Sequence, residues 1–251
     1  MHYSISDRAE DEIAHSKMLA QRDPEFIWGW GKPAGRLRAK RRAKLIIRGA
    51  QLGPDVRALE IGCGSGMFTE MFAESGAWLL AVDISSDLLK RAQSRNIPND
   101  KVQFLNKSFE DCDFDGKFDA VIGSSVLHHL DIARVLPKIY SVLKPGGIMS
   151  FAEPNMLNPQ VFIERKFSAF IPCLWYVSGY ETALIRWKFR NLLLEAGFED
   201  VKITPFDWLH PSTPFPLIQL ISVIGRSLEK IPGFREFAGS LYICCSRPLI
   251  D

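Results

Sequence analysis

Long apolar runs are missing from this chain. Nowhere do about 18 apolar residues follow one another, so no segment is suited to crossing a bilayer as a helix. Paired cysteines are missing too. The five cysteines, at 63, 112, 173, 244 and 245, form no C-x-x-C unit and cannot all be bridged. That fits reduced thiols better than a disulfide framework or a zinc site, and no metal is expected. Charge of one sign is scarce: a net +2 over 251 residues argues against a general nucleic-acid or DNA binder and leaves room only for a local basic patch. Met1–Glu12 is polar and acidic rather than basic and then apolar, so no secretory leader is expected and the cytoplasm is the expected location. Repeats and low-complexity tracts are absent. What remains is 47% hydrophobic, enough for one sizeable core with decoration.

Residues 58–69 read Ala-Leu-Glu-Ile-Gly-Cys-Gly-Ser-Gly-Met-Phe-Thr. Val56–Ile61 is β-rich and runs into glycines, as a parallel strand turning into a helix should. Without a Cβ the backbone there can bend tightly and approach a ligand closely. A second apolar run, Trp78–Val82, closes on Asp83. An acid about 20 residues after the glycines can accept hydrogen bonds from both ribose hydroxyls. One glycine is absent: a dinucleotide fingerprint would place its third at position 67, which is Met67. The pattern is G-x-G-x-G, preceded by Glu60. A carboxylate there would repel a pyrophosphate and suit a cofactor carrying an ammonium group.

On these residues the chain resembles the class I S-adenosylmethionine-dependent methyltransferases, closely over residues 36–153 and in outline beyond. The resemblance implies an α/β fold, a doubly wound, seven-stranded, mainly parallel sheet with its last strand antiparallel. It implies S-adenosylmethionine as cofactor and S-adenosylhomocysteine as product. Gly62, Cys63, Gly64 and Gly66 would then make the close backbone approach. Glu60 would orient the loop and the cofactor's amino-acid end, Asp83 would take the ribose and Ile84 would lie on the adenine. Ser108, where many relatives carry aspartate, would accept a bond from the adenine amino group. Phe109 would add its N–H and some stacking. Gly123 and Ser124, ending the fourth strand, would meet the methionine portion.

Apolar runs predict strands at 56–61, 77–82, 102–105, 118–122 and 147–152, with helices at 66–75, 86–95 and 132–143 between them. Helices are also expected at 7–22, 36–51, 181–196 and 216–229, and late strands at 201–208 and 240–246. Residues 1–53 read as an N-terminal helical lid. Residues 54–251 read as the cofactor-binding α/β domain, with substrate-side insertions near 154–180 and 205–238.

His128-His129 follows the fourth strand, and Glu153 ends the fifth on the same cleft. The Asn/Asp-Pro-Pro-aromatic signature of amide- and base-methylating relatives is absent, which lowers the expectation of N-methylation there. Removing a hydroxyl proton needs a base that titrates near neutrality, a role open to either histidine with Glu153 orienting it. The expected reaction is methyl transfer to a small or lipid-like acceptor, most readily on a hydroxyl oxygen. An RNA or protein methyltransferase, or a non-catalytic cofactor-binding protein, is the alternative.

Arg36, Arg38, Lys40, Arg41, Arg42, Lys44 and Arg48 read as a solvated face above a stripe of Leu37, Leu45, Ile46 and Ile47, or as an attractor of anionic substrate or membrane. Trp28-Gly-Trp-Gly-Lys-Pro-Ala-Gly35 fits a lid with flexible hinges, Trp30 covering the sulfonium. Phe162, Phe167, Phe170, Trp175, Tyr176, Tyr180, Trp208, Phe215, Leu217, Ile218, Leu220 and Ile221 suggest an apolar-walled substrate pocket. Helix 216–229, flanked by Arg226 and Lys230, offers peripheral membrane contact instead.

Overall fold

The structure, a computed structural model, describes residues 5–98, 100–167 and 183–250. Three helices come first, α1 (Ile5–Ala20), α2 (Pro24–Ile27) and α3 (Pro33–Gly49). Strand and helix then alternate: β1 (Arg57–Ile61), α4 (Met67–Ala73), β2 (Trp78–Asp83), α5 (Ser86–Gln93), β3 (Val102–Asn106), β4 (Phe118–Ser124), α6 (Ile132–Val142) and β5 (Leu143–Pro154). The chain continues through α7 (Pro159–Phe167), α8 (Arg186–Glu195), β6 (Glu199–Phe206), α9 (Ile218–Leu228) and β7 (Ser240–Ser246). The fifth strand starts earlier than the sequence pattern predicts. Lys144–Gly147 forms a bulge inside it, so the register with β4 jumps from Phe118↔Leu143 to Ala120↔Ile148.

The sheet order is β3-β2-β1-β4-β5-β7-β6. β7 runs antiparallel to both neighbours, and the other pairings in the first five strands are parallel. Strand order reverses between β1 and β4, so the loops leaving their C-terminal ends diverge and open a cleft there.

The two faces of the sheet differ in side-chain size. One carries Leu59, Leu80, Val82, Val121, Met149 and Phe151 packed with α6 and α8. The other carries Ala58, Ala81, Ala120 and Ala152, which lets α3 lie close. The contact side of α3 is correspondingly small: Ala34, Gly35, Ala39, Ala43 and Ile46 are buried, while Leu37 is exposed. This corrects the expected stripe at Leu37 alone, since Ile46 is buried and Leu45 and Ile47 pack partly buried against the same cluster. It also moves the helix start back to Pro33, at the first-turn position proline prefers. Gly35 is there for contact rather than as a hinge, since a Cβ at that position would sit 1.8 Å from the Gly29 carbonyl oxygen.

Candidate functional site

The glycine loop leaves β1 beneath a cavity of about 540 Å³, within the usual range for small-molecule sites. Gly62, Gly64 and Gly66 all have positive φ, and each glycine answers to a different neighbour. A Cβ at Gly62 would strike Val126, and one at Gly66 would strike Ala92 of α5. At Gly64 it would meet only the Trp28 ring edge, 3.7 Å away, so this is the residue whose bare backbone opens to the cavity. Asp83 binds the loop directly, accepting from the Gly64 N–H at 2.7 Å and the Ser85 N–H at 2.8 Å. Burial raises the Asp83 carboxyl above its ordinary value, against the pull of those two donors.

Of the sequence-predicted cofactor residues, Gly62, Cys63, Gly64, Asp83, Ile84, Ser108, Phe109 and Ser124 line the cavity. Glu60, Gly66 and Gly123 do not. A Cβ on Gly123 would collide with Phe151 and the Ile61 carbonyl, so that glycine serves strand packing. The Phe109 ring is buried against Phe114 at 5.8 Å, which leaves its backbone rather than its ring for the cavity. The Cys63 thiol is pushed well above its ordinary value by burial and by Asp83 and Glu60, so it is not a nucleophile.

Glu60 alternates onto the alanine face with Ala58 and is 1% exposed, with Oε2 lacking a hydrogen-bond partner. Burial drives its carboxyl up to about 8, Asp83 adding to the effect against the Thr69 hydroxyl. A folded-state value raised above the unfolded one means that stability is full below about 4.5 and declines as pH rises toward about 8. Glu60→Gln is therefore expected to raise the melting temperature at pH 9 by several degrees and to change it little at pH 5, as thermal scans at the two pH values will show.

His128 and Glu153 form a buried pair. Glu153 Oε2 lies 2.7 Å from His128 Nδ1, while Oε1 accepts from the Val126 N–H at 2.9 Å and the Leu127 N–H at 3.0 Å. Burial acts to raise the Glu153 carboxyl, but the His128 bond and these two N–H groups outweigh it and hold it below its ordinary value. Burial, aided by neighbouring His129, lowers His128 to about 4. A neutral ring facing an ionised carboxylate carries its proton on Nδ1, which leaves Nε2 as the basic nitrogen. His129 stacks on His128 with ring centroids 4.1 Å apart, and its Nδ1 lies 3.0 Å from Glu12 Oε1 on α1. Both histidines line the cavity; Glu153 stands behind His128.

Four of the seven α3 cations form a solvated face. Arg36, Lys40, Lys44 and Arg48 are exposed, whereas Arg38, Arg41 and Arg42 turn inward. Arg38 pairs with buried Asp207 at 2.6 Å, and Arg41 forks onto Glu229. Arg42 is 2% exposed, and its hydrogen bonds to described residues all go to neutral groups: Ser125 Oγ at 2.7 Å, Ser240 Oγ at 2.6 Å, the Ala152 carbonyl at 3.0 Å and Ser124 Oγ at 3.3 Å. It makes no ion pair with a described carboxylate, its Nε has no hydrogen-bond partner, and it lines the cavity. Burial lowers it to about 10, so it remains charged at neutral pH. Trp30 lines the cavity, with the Arg38 and Arg42 guanidinium groups 5.3 and 5.2 Å from its ring. Trp28 is the indole over the glycine loop. The segment before α3 is tied down by Glu25, which accepts from the Ser65 hydroxyl and pairs with Arg95.

The late aromatic residues behave differently from the expectation. Among those described, only Trp208 lines the cavity; Phe162, Phe167, Phe215, Leu217 and Leu220 point outward. Phe170, Trp175, Tyr176 and Tyr180 lie outside the described residues. The cavity wall supplied by α7 and the loop after β6 is mixed: Val161, Trp208, Leu209 and Pro211 stand beside Gln160, which is bonded to Glu164 and to His210 at 2.7 Å each. Glu12 and Ser240 are cavity residues that the sequence did not mark, whereas Trp28 was read only within a lid and Arg42 only within the basic run. The signal that singles out Arg42 is its place on the side of α3 marked by Ala39, Ala43 and Ile46. Together the cavity offers a carboxylate suited to a diol, a buried cation suited to a carboxylate, and a neutral imidazole for a proton.

Residues 59–151 match the family described as "Methyltransferase domain". The chain is similar to the ubiquinone biosynthesis O-methyltransferase of Xanthomonas axonopodis pv. citri (strain 306), being 31% identical over 159 residues, 61% of this chain and 65% of that protein. The matched part is thus under two thirds of that relative's length, and 44% of the same-named protein of Xanthomonas campestris pv. campestris (strain B100). In fold it is similar to the N-methyltransferase NodS from Bradyrhizobium japonicum WM9, solved with S-adenosylhomocysteine, with TM-score 0.62 and 17% identity over 94% of this chain and 98% of that one. It is also similar to the [4+2]-cyclase SpnF, with TM-score 0.58 and 19% identity over 84% of this chain and 82% of that one.

Proposed function

We propose that this member of the class I S-adenosylmethionine-dependent methyltransferases moves a methyl group from S-adenosylmethionine to a hydroxyl oxygen of a small or lipid-like acceptor. The observation that carries the reading is the buried His128–Glu153 pair, placed at the ends of β4 and β5 with His128 on the cavity wall.

The residues present fit the cofactor. Gly64 leaves open backbone beside Asp83, which suits a nucleoside, and Arg42 is a buried cation without an ion-pair partner, which suits a methionyl carboxylate. When bound, S-adenosylmethionine supplies a methyl group already activated on a sulfonium, so the protein's task is alignment and proton removal. Asp83 would hold the ribose, each oxygen keeping a second lone pair beyond its bond to Gly64 or Ser85. Ile84 and Ser108 would border the adenine, and Ser124 the methionine portion. His128 would receive the acceptor's hydroxyl proton at Nε2. That proton becomes strongly acidic only as the new oxygen–carbon bond forms, so a base that stays neutral at pH 7 suffices. Glu153 acts through His128, fixing its tautomer and stabilising the imidazolium. His129, held by Glu12, would keep the His128 ring in place by stacking.

The Xanthomonas relative's name supports oxygen as the methylated atom. The polar part of the cavity wall, at Gln160, Glu164 and His210, suits a polar reacting head, and Val161, Trp208, Leu209 and Pro211 beside it suit an apolar part of the acceptor. The RNA alternative loses much of its support, because Arg38, Arg41 and Arg42 face the interior. The test is incubation with S-adenosylmethionine and a panel of phenols, hydroxylated prenyl quinols and amines, with mass spectrometry locating the methyl. O-methylated product is expected. Methyl found only on nitrogen would remove the hydroxyl reading, and cofactor binding without turnover on any acceptor would favour the non-catalytic one.

A further inference from the structure

Among the described residues, Phe162, Phe167, Phe215, Leu217 and Leu220, which were expected to turn inward, form an outer surface instead. On α7, Gln160, Val161, Glu164 and Arg165 line the cavity, while the large apolar Phe162, Ile163 and Phe167 are exposed together with Lys166. On α9 the inward side is Ile218, Ile221 and Gly225, with Gly225 pressed on Trp208 of the cavity wall. Its outward strip is Leu220 (57% exposed), Val223 (57%) and Ile224. Phe215 (77% exposed) precedes the helix, and Ile231 and Phe234 follow it. The two insertions are joined, since Asn158 at the start of α7 donates to the Phe237 carbonyl at 2.8 Å. So many exposed large apolar side chains beside one cavity mark an interaction surface rather than ordinary scatter.

Charge identifies the partner. Arg226 and Lys230 flank the outward strip of α9 and make no ion pair with a described residue. The acids of the same segment are already engaged, Glu229 by Arg41 and Glu236 by Arg186 and Arg235. Leu37 of α3 shares a small depression with Ile221, Gly225 and Arg226, which brings the exposed cations of α3 (Arg36, Lys40, Lys44 and Arg48) alongside. Apolar side chains rimmed by unpaired cations match a membrane interface, where the first enter the acyl boundary and the second meet anionic headgroups. We propose that the α9 face, with the outer side of α7, docks this protein on an anionic lipid bilayer and sets the cavity mouth beside it. The docking rests on the exposed face alone and needs neither methyl donor nor acceptor.

The test is co-sedimentation of the full chain with vesicles of phosphatidylcholine, with and without about a third phosphatidylglycerol. Binding to the anionic vesicles that weakens with added salt is expected. Leu220→Gln, Val223→Gln and Ile224→Gln together should weaken it at least tenfold, and Arg226→Glu with Lys230→Glu should abolish the preference for anionic lipid. S-adenosylhomocysteine affinity, measured by calorimetry, should be unchanged in both variants. Three results would overturn the proposal: no binding of the native chain to either vesicle, native-like binding of the triple variant, or a concentration-dependent dimer that the triple variant abolishes. Tight binding of a single-stranded RNA by a chain that ignores vesicles would assign the cations to nucleic acid instead.

Discussion

Glu153→Gln is expected to lower turnover by about a hundredfold or more, the scale of a lost general base, while leaving S-adenosylhomocysteine affinity within about twofold. Glutamine keeps the shape of the side chain, and its carbonyl can still accept from the Val126 and Leu127 N–H groups. What changes lies on the other side, where an amide NH₂ now faces His128 Nδ1. Two donors cannot share that bond, so the ring proton moves to Nε2 and the basic nitrogen turns away from the cavity. Nitrogen-15 chemical shifts of His128 read this tautomer change directly and need no acceptor. Glu153→Ala should behave differently, because it strands two buried N–H groups at about 1–3 kcal/mol each and costs fold stability as well. Full turnover in the Gln variant, or an unchanged tautomer, would end the base assignment. Acid adds an independent check. His128 sits at about 4 against an ordinary 6.5, so its contribution to stability is present above about 6.5 and lost as pH falls toward about 4.

Arg42→Met is expected to weaken S-adenosylhomocysteine binding by about ten- to a hundredfold, the loss of charge-assisted hydrogen bonds worth about 1.5–3 kcal/mol. Binding of 5′-methylthioadenosine, which has no carboxylate, should not change. Titration calorimetry with the two ligands separates a carboxylate contact from general damage. Stability provides the second readout. A guanidinium held among hydroxyls and a carbonyl recovers little of its hydration, so an apolar replacement of similar length should leave the ligand-free melting temperature unchanged or raise it. The Ala152 carbonyl keeps a donor in the Ser125 N–H at 2.8 Å, and the serine hydroxyls can rotate to new partners. A variant that binds both ligands as the native chain does would show that Arg42 only braces α3 against β5 and β7.

Much of this was legible in the chain. Alternating apolar runs and helical spacers gave the order of elements, because parallel strands buried on both faces must read as continuous apolar segments. The glycine loop and Asp83 were legible because a bend that admits a ligand tolerates few residue types. The side of α3 that packs was legible only in part. Ala39 and Ala43 carry little hydrophobic signal, yet they face a sheet surface made of alanines, and close approach there matters more than side-chain size. Ile46, with Leu45 and Ile47 beside it, does pack there, and only Leu37 of the expected stripe faces water. The aromatic insertions misled for a related reason, since apolar composition says that a residue avoids water without saying whether core, ligand or membrane will cover it.

By itself the sequence determined the α/β alternation, the nucleotide-type loop and the neighbourhood of His128, His129 and Glu153, all properties of residues near one another in the chain. Tertiary structure decided the rest. It set Glu12 against His129 across 117 positions, left Arg42 among Ser125, Ala152 and Ser240, and turned Phe162, Phe167 and Phe215 outward. The reason is physical: hydrogen-bond partners and burial depend on which segments the sheet order brings together, and local periodicity carries no record of that order.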